Sequence, residues 1–171
     1  GDLLSSFGHI HQSLGEKDEA EKAIKEAYHL TPNDVLTLSN LALLYSEKGQ
    51  VQEASKLFEK ALGLYPKNTL LLFNYALHLS KTGHTLQAIK LLNRVIGING
   101  DYHKAYGLLG VIYKNEGNYS KAINYFNRAI ALFDKDVQIF KERWELYRVT
   151  GNFAAALADM GTANALDNSI L

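Results

Sequence analysis

The sequence predicts an all-α fold built as a solenoid of helix pairs, and three observations predict it. Glycines recur every 34 residues, at Gly15, Gly49, Gly83, Gly117 and Gly151. Alanines keep the same period at Ala20, Ala54, Ala88, Ala122 and Ala156, and Pro32 and Pro66 stand one period apart. Between these marks apolar residues fall three and four apart, which is the spacing of an amphipathic helix and not of a strand. Repetition at this length signals units that bury their apolar faces only by stacking on neighbours. Five units fill a single domain 1–171, as 1–34, 35–68, 69–102, 103–136 and 137–170, with about ten antiparallel helices expected.

The first unit places Leu4, Phe7 and Gly8 on one helix and Ala20, Ile24 and Ala27 on the next, closing at Pro32. His11 stands where other units carry Tyr45 and Tyr113, and is expected as a core substitute. In the second unit Leu38, Leu41, Ala42 and Tyr45 mark one face of a helix that stops at Lys48-Gly49. Glycine takes the left-handed conformation that ends a helix without a side-chain clash. Ala54, Leu57, Phe58, Ala61 and Leu62 then form the apolar face of a second helix, which Pro66 terminates. The third unit repeats this with Leu72, Tyr75, Ala76 and Leu79, then Ala88, Leu92 and Val95, and closes on Asn99-Gly100. The fourth carries Tyr106, Leu109, Gly110 and Tyr113, followed by Ala122, Phe126 and Ala129. Small residues at Gly8, Ala42, Ala76 and Gly110, set against Ala20, Ala54, Ala88 and Ala122, are expected to let paired helices approach closely. The fifth unit departs from this rule. Trp144 takes the small residue's place, and Ala154-Ala155-Ala156 on the facing helix is expected to make the room.

In their order of bulky, small and aromatic residues these units resemble tetratricopeptide repeats (TPRs), over essentially the whole chain. The resemblance implies a right-handed superhelical solenoid whose concave side is lined by the first helix of each unit. It implies a non-enzymatic protein-interaction module, and a pairing of Arg143 with Asp159. It also allows one specific activity to be weighed. Members that clamp a C-terminal carboxylate need lysine, asparagine and basic residues at five places. Here those places hold Ser39, Leu43, Asn74, Lys104 and Leu108, or Ser5, His9, Asn40, Leu70 and Asn74 one unit earlier. Neither set is complete, so a carboxylate clamp is not expected.

Composition narrows the function further. The chain carries 18 basic and 18 acidic side chains and no cysteine. Neutrality argues against a general nucleic-acid binder, whose affinity comes from neutralising phosphates. The lack of cysteine excludes disulfides and thiolate chemistry. No apolar run approaches a membrane span and the start does not read as a signal peptide, so a soluble, cytoplasmic chain is expected without membrane insertion. His9 and His11 lie on different helix faces, while His29, His78, His84 and His103 are scattered without metal-binding spacing. All six histidines are therefore read as structural, and neither metal nor cofactor is expected. Carboxylates gather only between Glu16 and Glu26, mixed with lysines, as on a solvated helix face. Asn118-Tyr119-Ser120 fits a glycosylation sequon by chance at a repeat turn.

Carried onto this sequence, the concave side offers ten candidate contacts. These are Leu36, Asn40 and Leu43, then Leu70, Phe73, Asn74 and Leu77, then Lys104, Val111 and Lys114. Gly107, Lys141, Glu145 and Arg148 share that side, with Asp2, Ser5, His9 and Gln12 at its beginning. The five large apolar members of the first two groups exceed what core packing uses, and a surplus apolar patch marks an interaction site. Asparagine amides can donate to and accept from a peptide backbone. An acidic first unit and basic third and fourth units favour a peptide with an apolar stretch and an acidic flank. The alternative is a scaffold or self-association segment whose groove is filled by its parent chain or another copy. Self-association would use the uncapped last helix, which with the initial Gly1 suggests a piece of a longer protein.

Overall fold

The computed structural model describes residues 17–168, and over these it is helical with short turns. The described helices are α1 (Lys17–Leu30), α2 (Val35–Glu47), α3 (Val51–Leu64), α4 (Thr69–Lys81), α5 (Thr85–Ile98), α6 (His103–Asn115), α7 (Tyr119–Leu132), α8 (Val137–Val149) and α9 (Phe153–Asn168). The starts of α2, α4, α6 and α8 keep the sequence period, as do those of α3, α5, α7 and α9. Of the first unit, Leu4, Phe7, Gly8, His11 and Gly15 lie outside the described residues, as do Asp2, Ser5, His9 and Gln12.

Turn chemistry explains why the period is so regular. Gly49, Gly83, Gly117 and Gly151 all have positive φ, between 73° and 82°. After Gly49 the chain closes back on the helix end, with the Gln50 amide donating to the Tyr45 carbonyl at 2.9 Å. The same bond runs from Asn118 to Tyr113 and from Asn152 to Tyr147. This is the glycine-centred stop that satisfies a helix's last carbonyls. Side chains cap several helix starts: Asp34 accepts from the Thr37 amide at 2.8 Å and Asn68 from the Leu71 amide at 2.9 Å. Each such cap stabilises its helix by about 1 kcal/mol.

The chain divides into two compact units, one ending at Leu91 and the other beginning at Leu92. In the first, α2 packs on α1, α3 and α4. Ile24, Leu41 and Leu44 form a buried cluster flanked by Tyr28, Tyr45 and Leu57. In the second, α7 packs on α6 and α9 on α8, around Ala122, Phe126, Ala129, Ile139 and Leu146.

Gly110 shows what the small position is for, and its nearest neighbour on the facing helix is Phe126. A methyl group there would lie 2.5 Å from the ring of Phe126, so the helix backbone itself is packed against that ring. In the last helix pair the sizes are exchanged. Trp144 stands where Gly110 does and Met160 where Phe126 does, and Met160 is 45% exposed whereas Phe126 is fully buried. Trp144, Lys141, Met160, Ala163 and Asn164 line a pocket of about 320 Å³. Met160 and Ala163 of the facing helix thus border the indole at this pocket.

Candidate functional site

In the first unit the candidate face is made by α2 and α4, which touch directly. Leu36 is 40% exposed and Leu70 47% exposed, although each is a large apolar side chain. Leu43, Phe73, Leu77 and Asn40 are half-buried along the same pair of helices. Asn74 is not pointed wholly outward: its amide donates to the buried Ser39 hydroxyl at 3.1 Å, tying α4 to α2. Between Val35 and Ser46, and between Thr69 and Ser80, neither helix carries Asp, Glu, Lys or Arg. The two helices thus offer a surface without charged side chains, and the Asn74–Ser39 bond helps to fix their register.

The second unit holds the other candidates on α6 and α8, and their environment is different. Lys104 is exposed, and Val111 is half-buried against the cluster that contains Phe126 and Leu146. Gly107 is buried rather than open, because the Ile139 side chain of α8 would lie 3.1 Å from any methyl group placed on it. Lys114 donates to Glu142 and to Glu145, each at 2.6 Å. Gln138 extends the chain by donating to the other Glu142 oxygen at 3.0 Å. Burial alone would lower the Lys114 pKa, but hydrogen bonds to Glu142 and Glu145 outweigh it and raise the value. Those same contacts with Lys114 hold the Glu145 carboxyl below its ordinary range. The Lys114 charge is thus already answered within the unit. Glu142 escaped the sequence reading, although its place in the repeat, equivalent to Asn40 and Asn74, marks it as a groove position.

The expected partnership of Arg143 and Asp159 is present. Two parallel bonds join them, Nε to Oδ2 at 2.8 Å and Nη2 to Oδ1 at 2.6 Å. A further guanidinium nitrogen donates to Asn127 of α7, so one arginine joins three helices. This planar, two-bond geometry suits guanidinium and carboxylate in a way that lysine cannot reproduce.

Among the described residues no group of three acidic or histidine side chains gathers as a metal site. No described helix is long and apolar enough to cross a membrane.

Comparison with known proteins agrees with this architecture. The family pattern described as Tetratricopeptide Repeats-Sensor matches residues 50–158, and one described as Tetratricopeptide repeat matches residues 6–69. No curated protein is significantly similar to the chain. Among solved structures, MamA is 23% identical with a TM-score of 0.73 over 95% of each chain. Pseudomonas aeruginosa PilF is 17% identical with a TM-score of 0.83, over 96% of this chain and 75% of that one. A tetratricopeptide repeat protein from Parabacteroides merdae is 24% identical with a TM-score of 0.78, over 96% and 64%. At these identities the likeness is one of fold. Taken with the helix period, the glycine stops and a family pattern spanning well over half its length, it places the chain in the tetratricopeptide repeat family, an all-α solenoid fold typical of protein-interaction modules and generally without catalysis.

Proposed function

We propose that the chain is a five-repeat interaction module that holds a peptide segment of a partner protein on the face formed by α2 and α4. The observation that carries this reading is the exposure of Leu36 and Leu70 on neighbouring helices that carry no charged residue beside them. Covering two such leucines stabilises a complex by an amount set by the apolar area removed from water. The half-buried Leu43, Phe73 and Leu77 continue that surface, and Asn40 and Asn74 supply amide groups within it.

The partner segment is accordingly apolar. An acidic flank would be met by the exposed Lys81 at the end of α4. The test is a panel of fifteen-residue peptides graded in apolar content and charge, measured by fluorescence anisotropy. Apolar peptides should bind with little dependence on salt, and Leu70→Ser or Phe73→Ala should weaken them about ten-fold or more, as central contacts do. Equal affinity in both variants would move the site elsewhere.

A scaffold or self-association role has its own support in α9. Phe153 and Leu157, one turn apart, are 67% and 71% exposed, and Met160 follows on the same stripe. Light scattering across a concentration series decides this: Leu157→Asp should abolish any dimer seen in the parent chain, and a parent that stays monomeric removes the reading.

A further inference from the structure

The first unit contains a buried polar group that the binding face does not use. His78 of α4 is 1% exposed. Its Nδ1 lies 2.7 Å from the Ser46 hydroxyl on α2, and its Nε2 lies 3.1 Å from the Ser55 hydroxyl on α3. The ring stands 5.6 Å from that of Phe58 and 6.2 Å from that of Tyr75. One imidazole therefore joins three helices from two successive repeats.

A neutral imidazole offers one donor and one acceptor, and a serine hydroxyl can serve as either. The chain Ser46–His78–Ser55 closes with both ring nitrogens satisfied. A second proton on the ring breaks that arrangement. Both nitrogens then donate, both hydroxyls must accept, and the hydroxyl that had donated to the ring must turn to another acceptor. The resulting cation would sit among aromatic rings, and a buried charge is costly unless paired.

The surroundings do not supply that pair. Glu59 of α3 accepts from the Tyr75 hydroxyl at 3.3 Å. On α2 the charges next to Ser46 are Glu47 and Lys48, both exposed, and Lys48 is bound to Glu21. Lys81 on α4 and His84 in the turn beyond it add positive charge. Burial accordingly pushes the His78 pKa below the ordinary 6.5; the Val51 carbonyl acts in the opposite sense, and His84 and Lys81 add to the lowering.

We propose that His78 is a proton-operated latch: neutral, it ties α4 to α2 and α3, and protonated, it lets α4 loosen from them. In sign, the folded chain binds fewer protons at this site than the unfolded chain does. The latch's contribution is complete above the ordinary imidazole value and is lost as the pH falls through and below it. Since α4 carries Phe73, Asn74 and Leu77, acidification would also dismantle the proposed binding face. That last step rests on the peptide-binding reading, whereas the latch does not.

The experiment is a pH titration of the intact chain by NMR, following the His78 ring and the exchange of backbone amides corrected for intrinsic rate. The His78 resonance should titrate below 6.5. Protection of the α4 amides should fall about ten-fold for each pH unit lost once folded and unfolded states differ by one proton. His78→Gln, which cannot titrate, should show no such fall. A His78 midpoint at or above 6.5, or an equal loss of protection in His78→Gln, overturns the latch. Where that variant does not fold, the midpoint in the parent chain decides alone. No peptide enters the measurement, so its outcome is separate from that of the binding panel.

Discussion

Equivalent places on α2/α4 and on α6/α8 carry opposite chemistry. Leu36, Leu70 and Lys104 occupy one position of the repeat, and Leu43, Leu77, Val111 and Glu145 another. On the first pair of helices those places are apolar and partly exposed, with Ser39 and Asn74 holding the register. On the second, Glu145 shares Lys114 with Glu142, and Glu142 also accepts from Gln138, while Lys104 stays exposed. The backbone period fixes where a side chain emerges, and residue choice decides whether it stays partly in water or bonds to its own neighbour. The first face keeps Leu36 and Leu70 partly in water. On the second, Lys114, Glu142 and Glu145 answer one another.

That contrast can be broken most forcefully at Arg143, whose pairing with Asp159 holds α8 against α9. Arg143→Ala leaves the buried Asp159 carboxylate without its cation and should cost about 3–5 kcal/mol, read from urea unfolding. Arg143→Met with Asp159→Leu should recover most of the loss, since a well-packed apolar pair replaces a buried ion pair at little cost. A double variant as unstable as the single one would mean that the guanidinium acts chiefly through Asn127 and through its stacking on Phe140 and Tyr147.

Much of this was legible before any coordinates, because period and turn chemistry are local. Gly49, Gly83, Gly117 and Gly151 announce the helix stops, and the alanine series announces the close-packed face. What could not be read is pairing across units. Lys114 and Glu145 were both assigned to the concave side, yet nothing in a one-dimensional pattern says that they meet 31 residues apart. The exchange of sizes at Trp144 was visible as an anomaly, but the pocket that it lines with Met160 and Ala163 was not, because that depends on how the two helices pack. His78 was read as structural, and its two serine partners come from helices that only the fold brings together. Asn74 shows the same gap, since its bond to Ser39 turns a presumed ligand contact partly inward.

The sharpest form of the comparison sets Lys114 against Leu70. Lys114→Met strips two carboxylates of their shared cation, and Glu142 is the more buried of the two, so a loss of about 1–2 kcal/mol of stability is expected. The loss should shrink as salt rises, because screening weakens the pair that the variant lacks. Leu70→Ser removes a side chain that is half in water already, so its stability should stay within about 0.5 kcal/mol of the parent. Its peptide affinity should nonetheless fall, while Lys114→Met should leave that affinity close to the parent's. Thermal and urea unfolding read the first half of this crossover, and the peptide panel reads the second. A Leu70→Ser chain that loses stability as Lys114→Met does would show that α2/α4 is covered from within, and the distinction between the two faces would disappear.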